Sequence, residues 1–300
     1  MAFFFMATIL LIGPGAIGSL MAWSLQDRAT IKVYAHRAGV SLPGTVESDE
    51  ATHRLLWSLT DSLDGIDAVV VCCKATQIER ATLPLIPQLS NVPWLVLCNG
   101  LGPQAWLSEQ LPGQVLWAST TEGAGRFGDR VQHTGVGETR IGSPAQYPVS
   151  AKTENWGHWL TSQTGPLELH WEPDITSVLW RKLAINAVIN PITAVHKCQN
   201  GALAEPQWQS EISALCEEIQ SIARACGVQL PEALAERVIQ VAKATRRNRS
   251  SMLTDIEAGR ETEIDAILGP LLCAADRHGL SAARLQYWYQ AVIRLHPLIR

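Results

Sequence analysis

The pattern of hydrophobic positions changes character near residue 172. Before it, short apolar runs alternate with helical or turn-rich segments, and five of the runs predict buried strands. Because helical connections between strands make βαβ units, this pattern favours a parallel sheet. The five predicted strands are residues 8–12, 31–35, 68–73, 94–98 and 115–119.

Weaker strand patterns follow at residues 130–133, 139–141 and 167–171, and we expect them to be antiparallel additions near an edge of the sheet. Beyond Pro173 the chain carries helical periodicity and no convincing strand. We therefore predict an α/β domain over residues 1–172 and an all-helical domain over residues 173–300. The predicted helices are residues 175–189, 205–226, 231–245, 262–278 and 282–295.

The first 26 residues carry no charge, so a signal sequence or a membrane span has to be weighed against a buried strand. The stretch lacks a positively charged start, and Gly13-Pro14-Gly15 interrupts it before the roughly 20 residues that a spanning helix needs. A buried parallel strand, which is continuously apolar, is the favoured interpretation. Met1 and Met6 both remain candidate starts.

Composition narrows the class of protein. Of 300 residues, 47% are hydrophobic and 17% charged, which suits a sizeable core and excludes a disordered chain. The net charge of −4 with no basic run argues against nucleic acid or an anionic membrane as a partner. Seven cysteines without a Cys-x-x-Cys pair indicate a reducing, cytoplasmic compartment. No metal site is predicted.

A glycine-rich motif, Gly13-Pro14-Gly15-Ala16-Ile17-Gly18, directly follows the first predicted strand. In such a turn the first glycine permits the tight bend, the second lets the backbone approach a pyrophosphate, and the third lets the helix pack closely. The helix beginning here offers free N–H groups and a positive dipole end to a phosphate. We therefore predict that all six residues bind a dinucleotide.

The choice between the two nicotinamide dinucleotides depends on the end of the second strand. An NAD enzyme places an acidic residue there, about 20 residues beyond the motif, to accept a hydrogen bond from the ribose. Here Arg37 occupies the region, and no acid follows until Glu47. Because a guanidinium pairs with a 2′-phosphate that a carboxylate would repel, NADP(H) is the predicted cofactor.

Two more strand ends are expected at the same edge of the sheet, where ligands of such sheets bind. Lys74 follows Cys72-Cys73, and Asn99-Gly100 follows Cys98. We predict that Lys74 meets the cofactor and that Asn99 hydrogen-bonds either the ribose or a substrate. The cysteines are interpreted as small core residues, since no partner histidine is recognisable.

In the helical half, Lys182, Asn186 and Asn190 recur every four residues and therefore share one helix face. Asparagines are poor helix formers, so their alignment with a lysine on an apolar helix indicates a polar ligand. Pro191 predicts a kink or stop. A second cluster, Ser251, Thr262 and Glu263, is explained by helix capping and the helix dipole on periodicity alone.

Together these motifs resemble the ketopantoate reductase (2-dehydropantoate 2-reductase) family. The resemblance covers residues 8–290 and is carried by the glycine motif and by residues 133–142, 182–194 and 250–265. It implies a Rossmann-type dinucleotide-binding domain followed by an all-helical domain of the 6-phosphogluconate-dehydrogenase-like kind. The implied reaction is the NADPH-dependent reduction of ketopantoate to pantoate in pantothenate and coenzyme A biosynthesis.

The resemblance also implies roles for single residues. Lys182 matches the catalytic lysine and Glu263 the active-site glutamate, which also contacts the cofactor. Arg37, Lys74 and Asn99 match cofactor contacts, and the substrate-contacting positions are Asn99, Asn186, Asn190 and Ser251. Cys98 and Glu122 depart from the family pattern and are candidates for altering substrate choice.

Three functions remain open from the sequence: the reductase of ketopantoate, a paralogous NADPH-dependent reductase of another 2-keto acid, and a non-catalytic NADP(H) sensor. Keeping Lys182, Asn186, Asn190 and Glu263 together argues against the sensor. The expected partners are a small 2-keto acid and, in a homodimer, a second copy of the chain.

Overall fold

The computed structural model describes residues 7–35, 39–162 and 164–295. The chain divides into two compact units, of which unit 1 comprises Met1–Cys98 and Pro103–Thr176. Unit 2 comprises Ser177–Arg300 together with the short segment Asn99–Gly102. This segment follows a strand of unit 1 directly in the chain.

Unit 1 is built on an eight-stranded sheet in the order β12-β11-β8-β7-β6-β1-β2-β5. Six strands run parallel, whereas β11 pairs antiparallel with β8, and β12 then pairs parallel with β11. Its strands are β1 Ala7–Ile12, β2 Ala29–Tyr34, β5 Trp57–Thr60, β6 Ala68–Val71, β7 Trp94–Leu97, β8 Val115–Thr120, β11 Glu138–Gly142 and β12 Glu168–Trp171.

The apolar start of the chain becomes the strand β1 in the interior of this sheet. β1 pairs with β2 on one side and β6 on the other, and Ile9, Leu10, Leu11 and Ile12 are fully buried. A strand covered on both faces needs apolar side chains on both, which explains its continuous hydrophobic run. Among the described helices, none combines the length and the apolar character that crossing a bilayer requires.

A second sheet of four strands, in the order β4-β3-β10-β9, was not anticipated. Its strands are β3 Thr45–Glu47, β4 Thr52–Arg54, β9 Gly123–Phe127 and β10 Arg130–Gly135. The expectation that residues 130–133 extend the main sheet is therefore wrong, because β10 pairs with β3 and β9. The helix α1, Ala16–Leu25, shares a core with both sheets, in which Leu20 is buried together with residues such as Val46 and Val131.

Residues 139–141 were expected to add an antiparallel strand to the main sheet, and they do so as part of β11, which pairs with β8. The same expectation for residues 167–171 is confirmed only in part. β12 forms the edge of the sheet but pairs parallel with its only neighbour. The remaining helices of unit 1 are α2 Ile78–Thr82, α3 Ile86–Leu89, α4 Pro103–Gln110 and α5 Ala151–Thr161.

Within its described residues, unit 2 is helical, and its core gathers buried side chains from α6, α7, α8, α11 and α12 around residues such as Val188, Ile219 and Leu271. Its helices are α6 Ile175–His196, which begins just before the unit, α7 Gln209–Ala225, α8 Leu234–Ala244, α9 Ser251–Glu257, α10 Ile264–Ile267, α11 Gly269–Arg277 and α12 Ala283–Ile293.

Two of the differences between the predicted and the observed helices have a local cause. The expected helix over residues 262–278 is two helices, because Gly269-Pro270 begins a new one. The stop expected at Pro191 does not occur, and α6 continues to His196. Ile192 beyond the proline is fully buried, so packing into the core supports the extra turn.

Candidate functional site

The turn between β1 and α1 is made by glycines that have no room for a side chain. Gly13 has φ +93°, and a Cβ there would lie 2.4 Å from the backbone nitrogen of Cys73. A Cβ on Gly18 would lie 2.1 Å from the carbonyl oxygen of Gly13. Strand, turn and helix therefore pack backbone against backbone.

Gly15 differs from its two partners in this turn. It precedes the first residue of α1 with φ −84°, and a Cβ added to it would meet no atom within 4 Å. No acidic residue lies in the first turn of α1, and Pro14, Ala16 and Ile17 are half-buried. An open space beside a helix N-terminus without negative charge fits the phosphates of a dinucleotide.

Lys74 follows the neighbouring strand. Cys72 after β6 donates its backbone N–H to Ile12 of β1 at 2.8 Å, so this strand end lies beside the glycine turn. Lys74 is half-buried, and its carbonyl accepts from Gln77 at 2.8 Å. Burial raises the pKa of the Cys72 thiol, with a smaller contribution from Cys73, which keeps it protonated and unreactive.

Arg37, the residue that indicates NADP(H), lies outside the described residues. No sequence motif points to Arg126 of β9, although its guanidinium donates to the Pro14 carbonyl at 3.1 Å. The two residues are 112 positions apart and belong to no common motif, so only the folded chain brings them together.

On α6, the face that carries Lys182, Asn186 and Asn190 becomes more buried towards the end of the helix. Lys182 and Asn186 are half-buried and Asn190 is 5% exposed, whereas the neighbouring Arg181 is exposed. A lysine that only extended into solvent would share the exposure of Arg181. The helix thus carries one partly enclosed ammonium in line with two amides.

Asn99 and Glu263 come together, although 164 positions separate them. The Asn99 side chain donates through Nδ2 to Oε2 of Glu263 at 2.9 Å, and Glu263 is 7% exposed. Gly100, with φ +82°, lets the segment press against α10, since a Cβ there would lie 2.2 Å from the Ala266 carbonyl oxygen. Leu101 donates its backbone N–H to the same oxygen at 2.9 Å.

Glu263 occupies the position before α10 and makes no capping hydrogen bond with its side chain there. The interpretation of Glu263 as a carboxylate inside the first helical turn is therefore wrong. The buried carboxylate is engaged by an amide from another part of the chain, an arrangement that orients both groups.

Periodicity suggested that Ser251 is the N-cap of α9. That prediction is wrong, because Ser250 occupies the N-cap position. The Ser250 hydroxyl accepts from Leu253 N–H at 3.1 Å and lies 2.8 Å from the Thr193 hydroxyl of α6. Ser251, one residue further on, is exposed. Thr262 is buried, and its hydroxyl lies at the long distance of 3.4 Å from Ile264 N–H.

Cys98 and Glu122, the two residues that depart from the family pattern, both have buried side chains or positions in unit 1. Cys98 is 8% exposed at the end of β7. Glu122 accepts from the Gly137 N–H at 3.0 Å and lies 2.7 Å from Nε2 of His133, with both side chains almost fully buried. Glu122 thus joins β10 to the turn before β11. In the part of the chain that is described, no His, Cys, Asp and Glu side chains group as a metal site.

Two family models match consecutive parts of the chain: Ketopantoate reductase PanE/ApbA over residues 9–146 and its C-terminal model over residues 174–296. The 2-dehydropantoate 2-reductase of Vibrio cholerae is 35% identical over 290 residues, which cover 95% of this chain and 96% of that protein. The homologue from Halobacterium salinarum, with the same name, is 30% identical over 282 residues, 90% of this chain and 92% of that one.

A solved structure described as a probable 2-dehydropantoate 2-reductase from Bacillus subtilis superposes with a TM-score of 0.79 at 28% identity, covering 96% of this chain and 99% of that one. The two family models together span both the sheet unit and the helical unit. The chain belongs to the ketopantoate reductase family.

Proposed function

We propose that this protein reduces 2-dehydropantoate (ketopantoate) to pantoate with NADPH, a step of pantothenate and coenzyme A biosynthesis. The observation that carries the proposal is the part-buried Asn99–Glu263 pair in the same unit as the Lys182 helix face. The relatives that match nearly the whole chain bear the name of this activity.

Reduction of a 2-keto acid requires a hydride and a proton. A bound nicotinamide supplies the hydride. Lys182 supplies the proton: its ammonium polarises the keto oxygen and then donates to the alkoxide as the negative charge develops there.

The neutral polar groups have the task of orienting the substrate. Asn186 and Asn190 offer amides on the Lys182 face, and Ser251 offers a hydroxyl at the start of α9. Asn99, whose amide is fixed by Glu263, offers a hydrogen bond in a defined direction. Such groups bind a carboxylate and a hydroxyl without competing with Lys182 for the proton.

The cofactor is held in this proposal by residues 13–18 and Lys74, with Asn99 and Glu263 contributing, and Arg37 gives preference for NADPH. A charge-assisted hydrogen bond to the 2′-phosphate is worth about 1.5–3 kcal/mol, roughly ten- to a hundredfold in affinity. We expect Arg37→Ala to lose this factor for NADPH and to leave NADH affinity unchanged, measured by quenching of tryptophan fluorescence. Equal affinities in the unmodified protein would contradict the assignment.

The activity itself is tested by following NADPH oxidation at 340 nm with ketopantoate and a panel of other 2-keto acids. We expect ketopantoate to have the highest kcat/KM. A tenfold higher value for another acid would identify a paralogous reductase instead. Binding of NADPH without oxidation by any member of the panel would favour a sensor.

Two further parts of the proposal are cytoplasmic location and a homodimeric assembly. Sedimentation velocity on the purified protein tests the assembly. A single species with the mass of one chain across the micromolar range would exclude the dimer.

A further inference from the structure

Arg126 of β9 connects the glycine-rich turn to the segment after β2. Its Nη1 donates to the Pro14 carbonyl at 3.1 Å, and Nη2 donates to both the carbonyl and the hydroxyl of Ser41 at 2.9 Å. Nε donates to the Gly128 carbonyl at 3.1 Å. All four acceptors are neutral oxygens.

The charge of Arg126 is therefore not compensated by a carboxylate within the described part of the chain. Two other arginines of unit 1 differ in this respect: Arg130 pairs with Glu47 at 3.1 Å, and Arg140 pairs with both Glu138 and Glu172 at 2.7 Å. Arg126 is also exposed. A guanidinium has five N–H donors, so its four contacts leave one on Nη1, the nitrogen beside Pro14.

The two anchors of Arg126 flank the place where a dinucleotide's adenosine ribose binds. In a doubly wound sheet the pyrophosphate lies at the helix N-terminus, and the ribose hydroxyls face the end of the second strand. Pro14 belongs to the turn before that helix, and Ser41 follows the second strand by seven residues. The Arg126 guanidinium contacts both of these segments, which are the ones expected to border the ribose.

On the basis of the proposed function, we propose that Arg126 is a specificity-determining residue whose guanidinium attracts the 2′-phosphate of NADP(H). Its hydrogen bonds to the backbone hold the cation in place without neutralising it, and the remaining N–H is directed by the same anchors. This charge comes from the second sheet and adds to that of Arg37. A dinucleotide without the 2′-phosphate gains nothing comparable from it.

The test compares the affinities of NADPH and NADH in Arg126→Gln, Arg126→Lys and a matched control, Arg130→Gln, by fluorescence titration. We expect Arg126→Gln to weaken NADPH about tenfold and NADH less than twofold. Arg126→Lys keeps the charge and should keep most of the preference. Arg130→Gln removes an exposed arginine at the start of the neighbouring strand β10, but one already paired with Glu47, and should change neither affinity.

The ratio of the two affinities within one variant decides the outcome, because both dinucleotides need the same folded turn. Equal weakening of NADPH and NADH by Arg126→Gln would assign Arg126 to holding the loops or the pyrophosphate and would overturn the proposal. No change in either affinity in Arg126→Gln would overturn the proposal as well. A wild-type protein that binds NADH as tightly as NADPH would instead refute the cofactor preference in the proposed function.

Discussion

The glycine turn of unit 1 and the Asn99–Glu263 region of unit 2 are built on different physical principles. In the turn, the backbone itself makes the candidate site: Gly13 and Gly18 pack closely against other backbone atoms, and Gly15 leaves open space. In unit 2, side chains from separate segments make the site, and Asn99 reaches Glu263 across 164 positions.

This difference decides what can be read from a sequence. A backbone site depends on residues without a side chain at fixed spacing, so its pattern is local and visible. A side-chain site depends on tertiary contacts, so its members look like ordinary polar residues. Glu263 looked like a carboxylate favoured by a helix dipole, and its link to Asn99 left no trace in periodicity.

The largest test of this contrast is Lys182→Ala, which removes a side chain of unit 2 and leaves the backbone site intact. We expect the kcat for ketopantoate to fall roughly 10²–10⁴-fold, the usual contribution of a positioned general acid. NADPH affinity should change little, because the proposed phosphate contacts belong to unit 1.

Arg181→Ala is the matched control for Lys182→Ala. Arg181 is the adjacent cation, rotated about 100° around the helix, and it is exposed. It should keep most of the activity. Similar turnover by the two variants, both folded by circular dichroism, would end the assignment of Lys182 as the proton donor.

The fold follows the same contrast. The parallel core of unit 1 was predictable because its strands are continuously apolar, as in β6 and β7, whose residues are all buried. The four strands that escaped prediction, β3, β4, β5 and β9, have three to five residues each and mostly half-exposed positions. Their pairing depends on distant partners, as β3 with β10, and no local pattern encodes it.

In the candidate site, the sequence indicated which residue types take part but not which residues contact each other in the folded chain. The four-residue spacing of Lys182, Asn186 and Asn190 was sufficient to place them on one face of α6. The grouping of Asn99–Gly102 with the helical unit had no signal, because it rests on Gly100 packing against Ala266. The contact of Arg126 with Pro14 is of the same tertiary kind.

A pair of glycine substitutions tests the backbone site and separates folding from binding. Gly15→Ala adds a methyl group to open space at negative φ, so we expect an unchanged Tm. The same methyl occupies the space proposed for the phosphates and should weaken NADPH about 10- to 100-fold, matching an overpacking cost of about 1–3 kcal/mol. Thermal denaturation and fluorescence titration measure the two effects.

Gly13→Ala should lower both quantities. Its positive φ and the 2.4 Å approach to Cys73 impose strain of about 1–3 kcal/mol on the fold, in addition to the loss of binding. If Gly15→Ala lowered the Tm as much as Gly13→Ala, or bound NADPH normally, the open space would not be a ligand site.

The side-chain site is tested by a double-mutant cycle of Asn99→Ala and Glu263→Gln on kcat/KM for ketopantoate. Because the two side chains share a part-buried hydrogen bond that involves a carboxylate, we expect a coupling of about 1.5 kcal/mol, roughly tenfold. The comparison is a second cycle of Asn190→Ala and Glu263→Gln, because the hydrogen bond of Asn99 to Glu263 does not involve Asn190. Additive effects of Asn99→Ala and Glu263→Gln would show that the pair does not act as a unit.

The smallest expected effect concerns the support of α10, the helix that follows Glu263. Tyr289 of α12 donates its hydroxyl to Asp265 Oδ1 at 2.5 Å, and this hydrogen bond, with burial, raises the pKa of Tyr289 from 10.0 to about 12. A phenol whose pKa is higher in the folded than in the unfolded chain stabilises the fold fully below pH 10, and the contribution is lost between about pH 10 and 12. Tyr289→Phe should therefore lower the free energy of unfolding by about 1 kcal/mol at pH 7 and change it little above pH 12, measured by urea denaturation at both pH values. Tyr287→Phe is the control, since Tyr287 lies two residues earlier on α12 and is 62% exposed.

Because the Asn99–Glu263 hydrogen bond does not involve Tyr289, the kcat of Tyr289→Phe should change less than twofold. A tenfold loss of kcat in Tyr289→Phe would mean that α10 must be held by α12 for Glu263 to act, and the site of unit 2 would then extend beyond the side chains that form it.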